Sequence, residues 1–497
     1  MDVLNSAWQG LTGVFQPGAF LLMMVGVILG NIVGILPGLG GQFLLAVLIP
    51  FVFGMNPISG MALLLGAHAV TGTGGSITSI LFNTPGESSN APTCFDGFEM
   101  TKKGQAGRAM GAALWASGVG GVIGAIALLL VIPIIRTIVL SFGPPEFFML
   151  TVLGISFIGS LEVKSPSKGL ISGLFGLALS LFGEDPSTGI IRYNFGTLYL
   201  YEGMRQIPVV LGLFAVAEMI DLGVKGSQLV TGKIEVKDSV WEGVKDVHRH
   251  WWLTLKCSVI AVYIGFLPGL GGVASAFFTY GYAQRISKHP ETFGKGNVEG
   301  VIAPEAANNA KEGGALIPTI GFGVPGSSGM AILLGAFLVM GITPGPKMLG
   351  QNLPVVFAMA WTVAIANIIG AAQTLAFAKW MARLAFLRSS LLIPLILIFV
   401  ALGSFTSSSS MGDLILTLIF GVLGYFMKVY DYSKAPLVLG LVLGRIAEGN
   451  FNLSYNLFGL GFLTRPITMI LSLLVLWALI GPILKRAREK GKGRAAE

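Results

Sequence analysis

The run Gly34-Ile-Leu-Pro37-Gly38-Leu-Gly40-Gly41 returns later in the chain as Gly265-Phe-Leu-Pro268-Gly269-Leu-Gly271-Gly272, each time inside apolar sequence. A second pair follows in the same order. Gly74-Gly75-Ser-Ile-Thr-Ser-Ile-Leu-Phe-Asn83-Thr84-Pro85-Gly86-Glu87-Ser88-Ser89 is answered by Gly313-Gly314-Ala-Leu-Ile-Pro-Thr-Ile-Gly-Phe-Gly323-Val324-Pro325-Gly326-Ser327-Ser328. Two motifs repeated in order divide the chain into two related halves. Pro-Gly within an apolar segment removes a backbone donor and interrupts a helix, which hydrocarbon tolerates only where protein or a polar cavity satisfies the freed groups. Interruptions at Pro37, Pro85, Pro268 and Pro325, paired between halves, are the pattern of a carrier whose binding site lies between broken helices.

The surrounding composition agrees. Of 497 residues, 53% are hydrophobic and only 11% charged, and the mean hydropathy is +0.78. That leaves too little polar surface to coat a soluble globule of this size, so the solvent is largely lipid. Stretches long enough to cross a bilayer run from Ala19 to Leu36, Ala109 to Ile135, Trp252 to Leu267, Val355 to Ala378 and Ile467 to Leu484. Shorter apolar stretches lie around Glu146 to Ser160, Gly169 to Phe182, Ile207 to Ile220, Leu391 to Leu402, Leu414 to Met427 and Pro436 to Leu443. The expected fold is an all-α polytopic membrane protein of about 10–13 membrane segments, re-entrant hairpins included. An odd number of crossings between the repeated motifs makes the two homologous repeats inverted. In this division residues 1–222 form the first half and 253–484 the second. Residues 223–252 form a hydrophilic cytoplasmic loop with an interfacial helix near Trp241 and the Trp251–Trp252 pair, and 485–497 a basic cytoplasmic tail.

The formal charge of +8 owes much to that tail, where Lys485, Arg486, Arg488, Lys490, Lys492 and Arg494 suit anionic lipid and not nucleic acid. The first Lys or Arg is Lys102, so the start of the chain has no basic leader region and is expected to face away from the cytoplasm. Cys94 and Cys257 have no metal-ligand spacing, and His248 and His250 sit in the loop without a third ligand. Phosphate-loop, His-Glu-x-x-His and Gly-x-Ser-x-Gly motifs are absent, so neither ATP hydrolysis nor another enzymatic activity is expected, and no cofactor.

The residues around the breaks suggest a site. If each Pro-Gly opens a helix, Ser88, Ser89, Ser327 and Ser328 stand with free N–H groups at helix N-termini, where the dipole favours an anion. Asn83, Thr84, Gly86 and Gly326 complete these turns as substrate contacts. Unwound carbonyls at Gly38, Gly40, Gly269 and Gly271, with Asn308 and Asn309, suit a hard cation such as sodium. Residues 3–86 and 313–346 carry no Asp, Glu, Lys or Arg, which predicts a site of neutral dipoles and not a proton pump built on intramembrane acids. Glu305, Asn308 and Asn309 are expected as gate or cation contacts, Asp96-Gly97 as a turn, and His68 as a neutral, hydrogen-bonded histidine in preference to a coupling group. Glu146 and Asp413 read as first-turn helix charges, and Gly120 with Gly124 and Gly169 with Gly173 as close-packing pairs. The competing reading is a gated pore for small anions in which the same breaks form a static filter. An intramembrane enzyme would need a convergent acid, nucleophile or metal set, and none can be assembled.

The repeated segments, together with Ala303-Pro-Glu-Ala-Ala-Asn308-Asn309-Ala, Phe293-Gly294-Lys295-Gly296 and Thr343-Pro344-Gly345-Pro346, resemble the large membrane subunit of tripartite tricarboxylate transporters of the TctA type, over almost the whole chain. The resemblance implies a bacterial inner-membrane secondary carrier. It also implies sodium-coupled uptake of citrate-like carboxylates by alternating access. The expected partners are a small membrane subunit of about four helices and an extracytoplasmic solute-binding protein. Glu87, an acid beside an expected anion site, departs in charge from such a site.

Overall fold

A computed structural model describes residues 3–156, 166–185, 187–225, 236, 238–268, 271–387, 389–406 and 408–476. Within them the chain is dominated by helices, with one two-stranded antiparallel hairpin of β1 (Gly183–Glu184) and β2 (Ile191–Arg192). In the first half the helices are α1 (Val3–Val14), α2 (Pro17–Ile35), α3 (Gly41–Leu48), α4 (Pro57–Phe82), α5 (Ala91–Lys102), α6 (Ala106–Val139), α7 (Pro144–Ser156) and α8 (Pro166–Ser180). A continuous apolar run, Gln206–Lys225, then contains α9 (Gln206–Val210), a π-helical turn (Leu211–Val216) and α10 (Ala217–Lys225). The remainder comprises α11 (Val240–Arg249), α12 (Trp251–Phe266), α13 (Gly271–Ile286), α14 (Glu299–Phe322), α15 (Ser328–Val339), α16 (Pro346–Gly350), α17 (Leu353–Met381), α18 (Ser389–Thr406), α19 (Met411–Val429), α20 (Ala435–Phe458) and α21 (Pro466–Leu476).

Among the described residues, five helical runs are long and apolar enough to cross a membrane: Pro17–Ile35, Ala106–Val139, Gln206–Lys225, Leu353–Phe386 and Met411–Val429. The bent pair formed by α20 with its extension and α21 makes a sixth candidate. Gly41–Val52, Trp251–Phe266 and Ser328–Val339 are apolar but shorter, because a break or turn cuts each off. The protein is therefore multi-pass and helical.

Glycine determines how these helices meet. Gly26, Gly30 and Gly34 recur every four residues on α2, and a Cβ at each would lie 2.4, 2.2 and 2.1 Å from the carbonyl oxygens of Leu63, Ala67 and Thr71 on α4. No side chain fits there, so the two backbones touch at three successive turns. On α6, Gly120 and Gly124 bear on the carbonyls of Ala306 and Ala310 of α14. That is the close packing their spacing predicts. Gly173 is likewise at an interface, its carbonyl meeting Gly440 of α20.

Several sequence expectations change. Asp96 and Gly97 lie inside α5 and form no turn. Asp96 is fully buried and accepts hydrogen bonds from Tyr280 Oη and from the backbone N–H groups of Gly296 and Asn297, each at 2.8 Å. The carboxylate thus ties α5 to the loop before α14, and its burial is compensated by three donors. Glu146 does occupy the first turn of α7, and it also receives Arg465 Nε at 2.7 Å. Asp413 likewise sits in the first turn of α19. Of the hydrophilic connection, α11 is present with Trp241 exposed, and Arg108 Nε of α6 holds Asp246 at 2.6 Å. The rest of that loop (226–235 and 237) and the basic tail lie outside the described residues.

Candidate functional site

The four predicted breaks are real interruptions, and their local geometry explains them. Helix α2 ends at Leu36, and Gly38 takes a left-handed φ of 84° before α3 starts at Gly41. Helix α4 ends on Asn83 at φ 53°, and α14 ends on Gly323 at φ 67°. These two caps stand 240 positions apart, as do Gly86 and Gly326. The structural register therefore pairs Gly74 with Gly314 and Glu87 with Ser327, one position off the alignment read from sequence. Equivalent contacts follow this register: Gly86 packs on Gly34 and Gly75, and Gly326 packs on Gly265 and Ala315.

Downstream of the second break in each half a helix begins with a side-chain cap. Ser327 caps α15 by accepting from Met330 N at 3.3 Å. Glu87 occupies the same register position. Its carboxylate forms a capping box with Asn90, and it accepts Gly41 N–H of α3 at 2.5 Å. The acid that looked out of place beside an anion site is thus itself the anion at a helix N-terminus.

These ends converge on a cavity of about 420 Å³. The first half supplies Gly38, Gly40, Gly41, Gln42, Gly86, Glu87, Ser88 and Ser89; the second supplies Gly272, Lys311, Glu312, Ser327, Ser328 and Gly329. Gln42 Nε2 donates to Ser328 Oγ across the gap. Phe214, from the π-helical turn, and the Glu218–Lys428 ion pair close one side. Lys428 also holds Asp221 at 2.7 Å.

Not every predicted residue reaches the cavity. Gly86, Ser88, Ser89, Ser327 and Ser328 line it, as do Gly38 and Gly40. Asn83 and Thr84 complete the α4 cap behind it, with Thr84 Oγ1 donating to Phe82 O at 3.1 Å. Gly326 is packed under Gly265, and Gly271 stands one residue before the lining glycine Gly272. Gly269 lies outside the described residues. Asn309 is buried away from the cavity, donating to Thr73 Oγ1 at 2.8 Å and to Asn367 Oδ1 at 2.6 Å. Asn308 faces Gly72, where a Cβ would lie 2.4 Å from its Nδ2. Glu305 is buried and accepts from Asn90 Nδ2 at 3.0 Å and Thr93 Oγ1 at 2.6 Å, tying α14 to the first-half break.

The expectation of a site made only of neutral groups fails. Lys311 and Glu312 are buried at the cavity wall, with the partly buried His68 beside them. Lys311 Nζ pairs with Glu312 Oε1, and His68 Nε2 lies 3.3 Å from Glu312 Oε2. That approach is off the line of a hydrogen bond, and both ring nitrogens of His68 are without a hydrogen-bond partner among the described residues. Glycines make the room: a Cβ on Gly272 would meet Lys311 Cε at 2.2 Å, and Cβ atoms on Gly41 and Gly329 would crowd the His68 ring at 2.5 and 2.6 Å. The charge-free run begins at Gly313, so this pair falls one residue outside it. The available signal was the helical spacing of Asn308, Lys311 and Glu312, which puts all three on one face.

A multi-pass helical protein with a polar, charged cavity between interrupted helices belongs to the class of membrane transport proteins. Residues 20–439 match the family described as the tripartite tricarboxylate transporter TctA family. The chain belongs to that family and is a subunit of a tripartite transporter. It is 32% identical over 493 residues, 99% of this chain and 98% of the relative, to an uncharacterized 52.8 kDa protein from the TAR-I ttuC' 3' region of Agrobacterium vitis. An uncharacterized protein from the TAR-II ttuC' 3' region of the same organism is 32% identical over 230 residues, 46% of this chain and 95% of the relative. No solved structure matches the chain.

Proposed function

We propose that this chain is the large permease subunit of a binding-protein-dependent secondary transporter that imports small di- or tricarboxylates, driven by sodium, through alternating access. The observation that carries the reading is the cavity itself, where the second-break serines of both halves, the N-terminal end of α15 and Lys311 face one space. Serine hydroxyls, N–H groups and ammonium groups are the donors a multiply charged carboxylate needs. The bound acid would sit between Ser88 and Ser328, with Lys311 as its counter-charge. Sodium would use carbonyls near Gly38 and Gly40.

The halves are read as inverted repeats with re-entrant hairpins at α3 and α15. Support comes from reciprocal contacts: Gly72 of α4 faces Asn308 of α14, while Glu312 of α14 faces His68 of α4, and both pairings keep the 240-residue register. Membership of this family supports placement in a bacterial inner membrane, and the charge distribution supports an orientation with the first residues outside and the basic tail inside. A small membrane subunit and an extracytoplasmic binding protein complete the transporter. Uptake of labelled citrate and several dicarboxylates into proteoliposomes holding all three components, with and without an inward sodium gradient, tests the whole reading. Sodium-dependent accumulation of one acid is expected. Equal uptake without the gradient removes sodium coupling, and no accumulation of any acid overturns the carboxylate assignment.

A further inference from the structure

The charged group at the cavity wall has no counterpart in the other half. In the 240-residue register His68, Thr71 and Gly72 of α4 correspond to Asn308, Lys311 and Glu312 of α14. One reciprocal contact is therefore neutral, glycine against asparagine amide, and the other is an acid against an imidazole with a lysine beside it. Where the packing repeats, the charge does not.

We infer that a substrate carboxylate displaces Glu312 from Lys311 and that His68 takes up a proton as this happens, so that binding of the acid draws in a proton. The inference rests on the carboxylate reading above. Without a bound acid Lys311 and Glu312 cancel each other, and His68 is the group that changes its charge when the acid arrives. An arriving carboxylate takes the ammonium of Lys311 and leaves the buried Glu312 without its counter-ion. An uncompensated buried carboxylate is strongly disfavoured. The nearest remedy is the imidazole already 3.3 Å away, which has both nitrogens unengaged among the described residues and lines the same cavity. The proton comes from the acid form of the buffer in solution, which is left as its conjugate base, and the imidazolium then pairs with Glu312. Bound substrate carboxylate, Lys311, Glu312 and protonated His68 sum again to zero, and the proton leaves when the acid leaves.

The other elements packed on His68 bring no competing charge. Helix α3 presents Gly41 and α15 presents Gly329. The neighbouring acids are engaged elsewhere: Glu87 by Gly41 N–H and Ser89, and Glu305 by Asn90 and Thr93. Lys428, at the cavity's edge, is balanced by Glu218 and Asp221.

Calorimetry on the purified full-length chain at fixed sodium tests this, using succinate and tartrate at about pH 8, where both acids are fully ionised, in buffers of different ionisation enthalpy. The wild type is expected to take up about one proton per acid bound. His68→Asn and Glu312→Gln should each bind acid with the proton uptake abolished, and Lys311→Gln should weaken binding at least about tenfold. Binding by the wild type with no proton uptake overturns the inference and leaves the carboxylate reading standing, even if every variant misfolds. Uptake that persists undiminished in His68→Asn also overturns it. No binding by either acid or by citrate overturns the carboxylate reading and this inference with it.

Discussion

Removing the Asp96 carboxylate should loosen the joint between α5 and the loop that leads into α14. Three donors meet it, Tyr280 Oη and the N–H groups of Gly296 and Asn297, all at 2.8 Å around a fully buried side chain. Hydrogen bonds to a charged acceptor contribute about 1.5–3 kcal/mol each. Three at the low end come to about 4.5 kcal/mol. Gly296 and Asn297 are only partly buried, so water recovers some of that for their amides once the acceptor is gone. Asp96→Ala should therefore cost about 3–4 kcal/mol, and Asp96→Asn, which keeps one acceptor oxygen, about 1–2 kcal/mol. The carboxylate also explains Gly300, where a Cβ would stand 2.1 Å from Asp96 Oδ2. Gly300→Ala alone should cost about 2 kcal/mol and much less in the Asp96→Ala background, a non-additivity that marks direct contact. Reversible unfolding in mixed micelles, followed by helical circular dichroism, reads all four variants against the wild type. An Asp96→Ala chain within about 0.5 kcal/mol of wild type refutes the reasoning, as does strict additivity with Gly300→Ala.

Ser328→Ala removes the hydroxyl that bridges the cavity to Gln42, and should weaken substrate uptake about tenfold with insertion unchanged; unaltered half-saturation would take this residue out of the site. Gly34→Ala and Gly265→Ala place a Cβ 2.1 and 2.3 Å from the carbonyls of Thr71 and Lys311, and each should destabilise by about 1–3 kcal/mol, seen as a lower melting midpoint of the detergent-solubilised chain. At the β1–β2 hairpin, the Ser187 N–H above all holds the Asp185 carboxyl down at about 2. A depressed carboxyl stabilises fully above its ordinary value and loses that contribution only as the pH falls through the lowered one. Hydrogen-exchange protection of Gly189 N–H, which donates to Asp185 O, should thus be equal at about pH 7 and about pH 5 once corrected for intrinsic rates, and a large fall at the lower pH would contradict it.

The four helix breaks could be read from sequence because a Pro-Gly pair acts locally, the proline lacking a donor and the glycine lacking a Cβ. Single prolines such as Pro133 and Pro318, by contrast, stay within α6 and α14. The glycine pairs were legible for a similar reason, since four-residue spacing is a property of one helix. Lys311, Glu312 and His68 were not assembled because their meeting depends on how α4 lies against α14, which no local rule supplies. Asp96 was misread for the same cause. An Asp-Gly pair favours a turn on its own, but three donors from α13 and the loop after it hold this one inside a helix. Asn309 shows the reverse error, a residue with suitable chemistry that tertiary packing consumes in bonds to Thr73 and Asn367.

The seam between α2 and α4 limits where this protein can bend. Interfaces filled by side chains can creep, because rotamers adjust as one helix slides on another. Three glycines set against three carbonyls leave nothing to adjust. A slip of one residue along the seam would bring bulkier neighbours, Val27 or Ile35 among them, onto the facing backbone. The pair must therefore travel as a single stiff plank. The turn at 83–87 rides on the same plank, since Gly86 is pressed against Gly34 and Gly75 with no room for a Cβ.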